Sequence, residues 1–248
     1  MDLLTSDTDR ASEFYTRLFG WTAGEPAQQF GGYFMFLREG VPVAGCMGKA
    51  AGVPSMEGPD TWGIYLSSPD AKATTEAALE RGAQLREGPM DIADLGTDAV
   101  LTDPDGARIG LWQARQFPGI TVFGEPGTPY YFELLTRDYA GSTAFYRDVF
   151  GWTEQAGAQV AGDSDEFRLT VLNDAAGTPL AGIMDASAFL PADVDPFWGV
   201  YLKVADTDAT LARIAELGGT VTDPAWDTPY GRMAAANDPT GARFKVIS

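Results

Sequence analysis

The chain has 248 residues, of which 45% are hydrophobic and 21% charged, enough apolar material for one large core or two ordinary ones. Lys and Arg number 17 against 35 Asp and Glu, a formal net charge of −18; nucleic acid and anionic membrane surfaces repel such a polyanion, so neither is expected as a partner. There is no histidine, which excludes Ser-His-Asp and Cys-His catalysis and any imidazole-ligated zinc, iron or nickel.

A short first strand, LLTSD, leads through Asp7 as N-cap into a helix whose Phe14, Leu18 and Trp21 fall at helical spacing. Gly20 is expected to close this helix in the left-handed conformation, with Trp21 folding back onto a sheet. Residues 33–39 (YFMFLRE) and 41–47 (VPVAGCM) read as the next two strands. Cys46, the one cysteine, lies in the second of these, where a thiol serves as an inert small hydrophobe. TWGIYLS (61–67) reads as a fourth apolar strand, and a second amphipathic helix is expected from Asp70 to about Arg81. The half closes with strands around Asp103-Pro104-Asp105-Gly106. This D-x-D-G string invites a calcium reading, but proline presets φ, glycine accepts a positive φ, and apolar strands flank the turn. It reads as a hairpin turn.

The same grammar then returns. Asp7, Phe14, Tyr15, Phe19, Gly20 and Trp21 recur as Asp138, Phe145, Tyr146, Phe150, Gly151 and Trp152. Trp62-Gly63 with Tyr65-Leu66 recurs as Trp198-Gly199 with Tyr201-Leu202, and the Asp103 turn as Asp238-Pro239-Thr240-Gly241. Strands are expected at 167–173, 178–184 and 197–204, with a helix from about Asp206 to Leu217. Landmarks in the same order with drifting offsets mean duplication with loop insertions. The expected division is a first module at 1–114, a Pro- and Gly-rich linker at 115–129 and a second module at 130–248. With no run of about eighteen apolar residues and no leader-like start, a cytoplasmic location is expected.

FYxxLFGW, the WGxYL strand and the terminal DPxGAxF turn together resemble the glyoxalase/bleomycin-resistance/dioxygenase (vicinal oxygen chelate) superfamily, over nearly the whole chain and most closely its two-module actinobacterial members. The resemblance implies an α+β fold of tandem βαβββ modules forming two cupped mixed sheets. It leaves activity open, because the superfamily spans lyases, isomerases, ring-cleaving dioxygenases, transferases and drug-binding proteins. In its metal-dependent members each module offers three ligand positions. Here these fall on Tyr131, Gly199 and Lys245, and on Gly63, Gly110 and a position before Met1. Neither a metal nor another cofactor is therefore expected.

Strand alternation then selects the side chains of the concave faces. Tyr131 shares a face with Glu133, whose counterpart in the first module is Asp2; Tyr65, Trp112, Tyr201 and Lys245 complete the ligand-facing set. Glycines at the vacated positions are expected to enlarge the cavity. Glu133, in the apolar string YYFELL, and Asp2 are the candidate acid/base groups, since burial would raise a carboxyl toward the useful range. Tyr230, in DTPYGRM, is a candidate lid residue. The leading reading is metal-independent binding of a hydrophobic or aromatic small molecule, a natural-product or drug-like metabolite, in resistance, sequestration or biosynthesis. The alternative is a cofactorless isomerase, lyase or ring-opening enzyme with Glu133 as acid/base and Lys245 or a tyrosine steadying an oxyanion. A third reading keeps the duplicated sheets as scaffold only. Either a monomer or a homodimer fits the sequence.

Overall fold

A computed structural model describes residues 1–53, 56–155, 168–173, 177 and 179–248. Within them the chain passes four times through one order of elements. The first pass is β1 (Asp2–Thr5), α1 (Thr8–Phe19), β2 (Thr22–Ala23), β3 (Phe34–Arg38) and β4 (Val41–Gly48), followed by a short β5 (Thr61–Gly63). The second is β6 (Tyr65–Ser67), α2 (Ala71–Glu80), β7 (Gln84–Ile92), β8 (Gly96–Thr102) and β9 (Arg108–Ala114). The third is β10 (Pro129–Thr136), α3 (Tyr139–Phe150), β11 (Thr153–Gln155), β12 (Leu169–Asn173) and β13 (Pro179–Asp185). The fourth is β14 (Phe197–Lys203), α4 (Thr207–Glu216), β15 (Thr220–Thr228), β16 (Gly231–Asn237) and β17 (Arg243–Ile247). Phe167 and Thr178, at the starts of two expected strands, lie outside the described residues.

In every pass the last three strands form an antiparallel meander and the last runs parallel to the first: β4 to β1, β9 to β6, β13 to β10 and β17 to β14. The α+β class and the βαβββ unit hold, and each sequence half contains that unit twice. One expected strand is divided. Thr61–Gly63 pairs antiparallel with β1, whereas Tyr65–Ser67 pairs parallel with β9, and Ile64 between them gives its carbonyl to the Gly110 N–H at 2.8 Å. A change of partner and of ladder direction within one run breaks the strand.

The helix ends follow the local chemistry. Asp7, Asp70, Asp138 and Asp206 each accept a bond from the backbone N–H three residues on, satisfying a first-turn donor. Gly20 and Gly151 close α1 and α3 at φ of 70° and 65°, the left-handed region expected for them.

The chain forms two compact units that interleave the sequence halves: Met1–Gly63, Ile120–Tyr131 and Val200–Ser248 in the first, Ile64–Gly119 and Phe132–Gly199 in the second. The first unit thus holds passes one and four, the second passes two and three. In the first unit the Tyr15 ring meets Trp62 edge-on at 5.2 Å and stacks with Trp21 at 5.9 Å. Trp21 does fold back, its indole N–H donating to the Gly127 carbonyl at 2.7 Å. In the second unit Tyr146 repeats this arrangement with Trp198 at 5.2 Å and Trp152 at 6.1 Å.

A buried polar chain runs through each aromatic cluster. In the first unit the Trp62 indole donates to the Tyr15 hydroxyl at 2.9 Å, which donates to Asp238 Oδ2 at 3.0 Å. The other oxygen of Asp238 accepts from the N–H groups of Thr240 and Ala242. In the second unit Trp198, Tyr146 and Asp103 repeat it at 2.9 and 2.9 Å, and Asp103 Oδ1 accepts from the N–H groups of Asp105, Gly106 and Ala107. The DPxG aspartates are spent on their own turns, as a hairpin turn requires, rather than presented to a cation.

Candidate functional site

In the first unit, Tyr201 and Lys245 are register partners on the parallel strands β14 and β17. Val200, Leu202, Phe244 and Val246, which alternate with them, are buried, so Tyr201 and Lys245 share the opposite face. The Lys245 ammonium donates to the Tyr201 hydroxyl at 2.6 Å and lies 4.5 Å from the centre of its ring. The half-buried Tyr131 ring meets Tyr201 edge-on at 5.9 Å. Three of the residues expected to face a ligand therefore converge: two phenols and one amine, on rigid strands.

Asp2 lies on the same unit, in register with Gly45 of β4 and Gly63 of β5. The Tyr33 hydroxyl donates to its Oδ1 at 3.3 Å and sits 3.1 Å from the Met35 sulfur. A Cβ on Gly45 would stand 2.1 Å from the Tyr33 oxygen and 2.4 Å from Asp2 Oδ1. Glycine there makes the notch that holds the Tyr–Asp pair. Burial pushes the Asp2 carboxyl up, against the opposing effects of the adjoining amino group, Tyr33 and the Gly45 N–H. Tyr33 was not among the expected residues; Gly45 is in register with Met35 rather than with Tyr33, so no strand pairing in the sequence pointed to it.

The direction of that shift has a testable sign. The fold favours protonated Asp2, so the native state holds a proton above the ordinary carboxylate pKa, and stability declines as pH rises toward the raised value. Asp2→Asn cannot ionise. Its melting temperature should exceed that of the parent at neutral pH and the advantage should vanish near about pH 3. A variant less stable than the parent at neutral pH would show that the ionised carboxylate is a stabilising partner instead.

In the second unit, Tyr65 is in register with Gly110, and its ring carbons lie 2.3 and 2.5 Å from where a Gly110 Cβ would stand. The expectation that glycine enlarges the cavity is corrected here: Gly110 lets the Tyr65 ring lie against the strand, so the vacated space is filled. At Gly199 the nearest neighbour of an added Cβ is the Glu133 carbonyl at 3.6 Å, an ordinary contact. Trp112 donates to the Phe117 carbonyl at 2.9 Å and meets the Phe117 ring at 6.1 Å. Glu133 is buried, 3% exposed, in register with Gly182.

Tyr230, in the first unit, is 50% exposed on the β15–β16 turn, with its backbone N–H bonded to Thr228 Oγ1 at 3.1 Å. A surface cleft of about 370 Å³ at the start of α1, lined by residues including Asp9, Ser12, Gly31 and Phe34, contains none of the expected residues. Cys46 is buried and its thiol is pushed up to about 12 by burial and by the charges of Asp2 and Asp238, which keeps it unreactive.

Repeated βαβββ passes, each with its last strand parallel to its first, define the class of fold to which this chain belongs. The model of the Glyoxalase/Bleomycin resistance protein/Dioxygenase superfamily matches residues 1–111 and 129–246, and the chain belongs to that family. It is 37% identical to the protein CFP32 of Mycobacterium bovis, over 100% of this chain and 92% of that one. It is 35% identical to the anthracycline biosynthesis protein DauV of Streptomyces sp. strain C5, over 99% and 90% respectively. Its fold is similar to that of the Mn(II)-bound glyoxalase from Novosphingobium aromaticivorans (TM-score 0.63, 16% identity, 99% of this chain and 80% of that one). The 2,3-dioxygenase LapB from Pseudomonas sp. KL28 is a further structural neighbour (TM-score 0.62, 12% identity, 99% and 89%).

Of the residues at the positions that the resemblance assigns to metal ligands, Tyr131 alone carries an oxygen donor, too few to hold a cation. Lys245 presents an ammonium already bonded to Tyr201, and Gly63, Gly110 and Gly199 have no side-chain donor. At Gly110 the neighbouring ring covers the backbone. Among the described residues, no group of three or more Cys, Asp or Glu is placed to hold a metal ion.

Proposed function

We propose that this chain binds a flat, fused-ring aromatic metabolite without a metal, at the corner formed by Tyr131, Tyr201 and Lys245. The observation that carries the reading is the amine held 4.5 Å from one phenol ring centre with a second ring edge-on to it. The two rings offer apolar walls, and the ammonium offers a hydrogen bond to a carbonyl or phenolic oxygen of the ligand. The relatives named for anthracycline biosynthesis support a fused-ring ligand class, with a role in biosynthesis, sequestration or resistance.

The probe is 1,8-dihydroxyanthraquinone, titrated into the full chain in the presence of a chelator and followed by quenching of intrinsic fluorescence. Binding in the micromolar range is expected, unaffected by the chelator. Lys245→Met and Tyr131→Leu should each weaken it about tenfold, the loss of one good contact. Undiminished affinity in both variants, or affinity that appears only with added metal, rejects the proposal.

The second reading, a cofactorless isomerase, lyase or ring-opening enzyme, draws on Asp2, whose raised carboxyl against Tyr33 is suited to holding and returning a proton. Glu133, buried in β10, is its other acid/base candidate. If turnover of such a metabolite is found, Glu133→Gln and Asp2→Asn should abolish it while leaving binding in place. Full turnover in either variant removes that residue from the mechanism.

A further inference from the structure

In a chain with twice as many acidic as basic residues, two arginines stand beside each other on one face of the second unit. Arg108 opens β9 and is in register with Thr102 of β8. Ile109 and Leu111, which alternate with it, are buried in the core, so Arg108 lies on the opposite face with Gly110 and the Tyr65 ring that covers it. Arg86 occupies the irregularity between Leu85 and Glu87 on β7, and its Nε donates to the Thr102 hydroxyl at 2.7 Å. Thr102 therefore ties Arg86 to the strand position directly across from Arg108.

The Arg108 side chain is half-buried, and among the described residues it has neither a hydrogen-bond nor an ion-pair partner. Burial pushes its guanidinium down from the ordinary value; its electrostatic neighbours are Tyr65, Arg86 and Glu87. Glu87 is the nearby acid, and it forms no ion pair with either arginine. A partly desolvated guanidinium with open donors, next to a second guanidinium, is costly for the free protein and is relieved by an anion with two coplanar oxygens.

We infer that Arg108, assisted by Arg86 and the Tyr65 ring, forms a binding site for a small aromatic carboxylate. The guanidinium fork of Arg108 takes both carboxylate oxygens, Arg86 adds long-range attraction, and Tyr65 offers its ring to the aromatic part. The site uses no residue of the Tyr131–Tyr201–Lys245 corner.

The test is titration calorimetry of the full chain with 2-naphthoate, and with 2-naphthalenemethanol as a neutral match. Naphthoate should bind more tightly than the alcohol, and the difference should shrink as salt is raised. Arg108→Gln should weaken naphthoate about thirtyfold or more without changing the alcohol. Arg108→Lys should recover only part of the loss, because a point charge cannot supply two parallel bonds. Arg86→Gln should have a smaller effect. In the absence of ligand, Arg108→Gln should melt at or above the parent temperature, since it removes an unpartnered charge.

Naphthoate affinity unchanged in Arg108→Gln, or no preference for naphthoate over the alcohol, overturns the inference. So does a fall in the melting temperature of the free variant, which would give Arg108 a structural partner. Lys245→Met removes any naphthoate held at the other corner, and the Arg108-dependent part of naphthoate binding should remain. If naphthoate binding is lost there and kept in Arg108→Gln, the carboxylate sits at the other corner, and this site fails while the aromatic-binding proposal stands.

Discussion

Asp238→Ala is expected to lower stability by about 3–4 kcal/mol, the sum of a lost turn cap and a buried hydroxyl left without its acceptor. Asp238 is 3% exposed; one oxygen holds the N–H groups of Thr240 and Ala242 and the other accepts from Tyr15. Burial and the neighbouring Asp238 push the Tyr15 hydroxyl well above its ordinary pKa, so it stays protonated and remains a donor. Tyr15→Phe should cost less, about 2 kcal/mol, because it leaves the turn bonds in place. In the double variant the penalties should fall short of additive by about 1 kcal/mol or more, since the Tyr15–Asp238 bond can be lost only once. Denaturant unfolding at constant m-value reads all three. Strict additivity would show that the two groups do not act as a pair. Asp103 and Tyr146 should behave alike in the second unit, given the matching 2.9 Å bond.

This pairing marks where the sequence stops being informative. The FY pair, the WG strand and the DPxG turn were all legible as recurring landmarks, and all three meet in space. Which copy meets which was not legible. Tyr15 could pair with Asp103 of its own half or with Asp238 of the other, and the residues are the same in either case. The structure joins Tyr15 to Asp238 and Tyr146 to Asp103, so each compact unit is completed across the repeat. The doubling of βαβββ within each half was hidden for a different reason. Passes one and two share element order, but α1 carries an aromatic stripe and α2 carries alanines and threonines (AKATTEAALE), so no residue landmark links them.

At the candidate sites, the family resemblance and period-two alternation together put Tyr201 and Lys245 on one concave face, while their being register partners on adjacent strands is visible only in the structure. Tyr33 escaped that reading. Its contact with Asp2 depends on the notch at Gly45 and on the β3–β4 register, which shifts between Phe36 and Leu37. Arg108 escaped it too, since its lack of a partner among the described residues is visible only in the structure.

The last expected effect is a pH-dependent loss of stability in Asp60→Asn. Asp60 joins the loop before β5 to the end of β1. Its Oδ1 faces the Lys49 ammonium at 2.7 Å, and its Oδ2 accepts from the Ser6 N–H and hydroxyl, each at 2.8 Å, and from Thr5 at 3.1 Å. Lys49 also donates to the Gly58 carbonyl at 2.6 Å. Both side chains are well covered, 16% exposed for Lys49 and 5% for Asp60. Burial alone would raise this carboxyl, but Lys49 and Ser6 outweigh it and hold the pKa at about 2. A lowered carboxyl contributes stability at pH values above its ordinary pKa, and the contribution is lost as pH falls from about 4 toward about 2. Removing one partner of a covered ion pair leaves Lys49 facing a neutral group. Asp60→Asn should therefore cost about 3 kcal/mol at neutral pH. The gap between parent and variant should close as acid protonates the parent's own carboxyl. Lys49→Met provides the control: it keeps the Ser6 bonds, so its penalty should be smaller, and it too should close as acid protonates the parent's Asp60 near about pH 2. Unfolding curves at stepped pH decide the matter, and a penalty for Asp60→Asn that persists undiminished into acid would mean that shape rather than charge holds this loop.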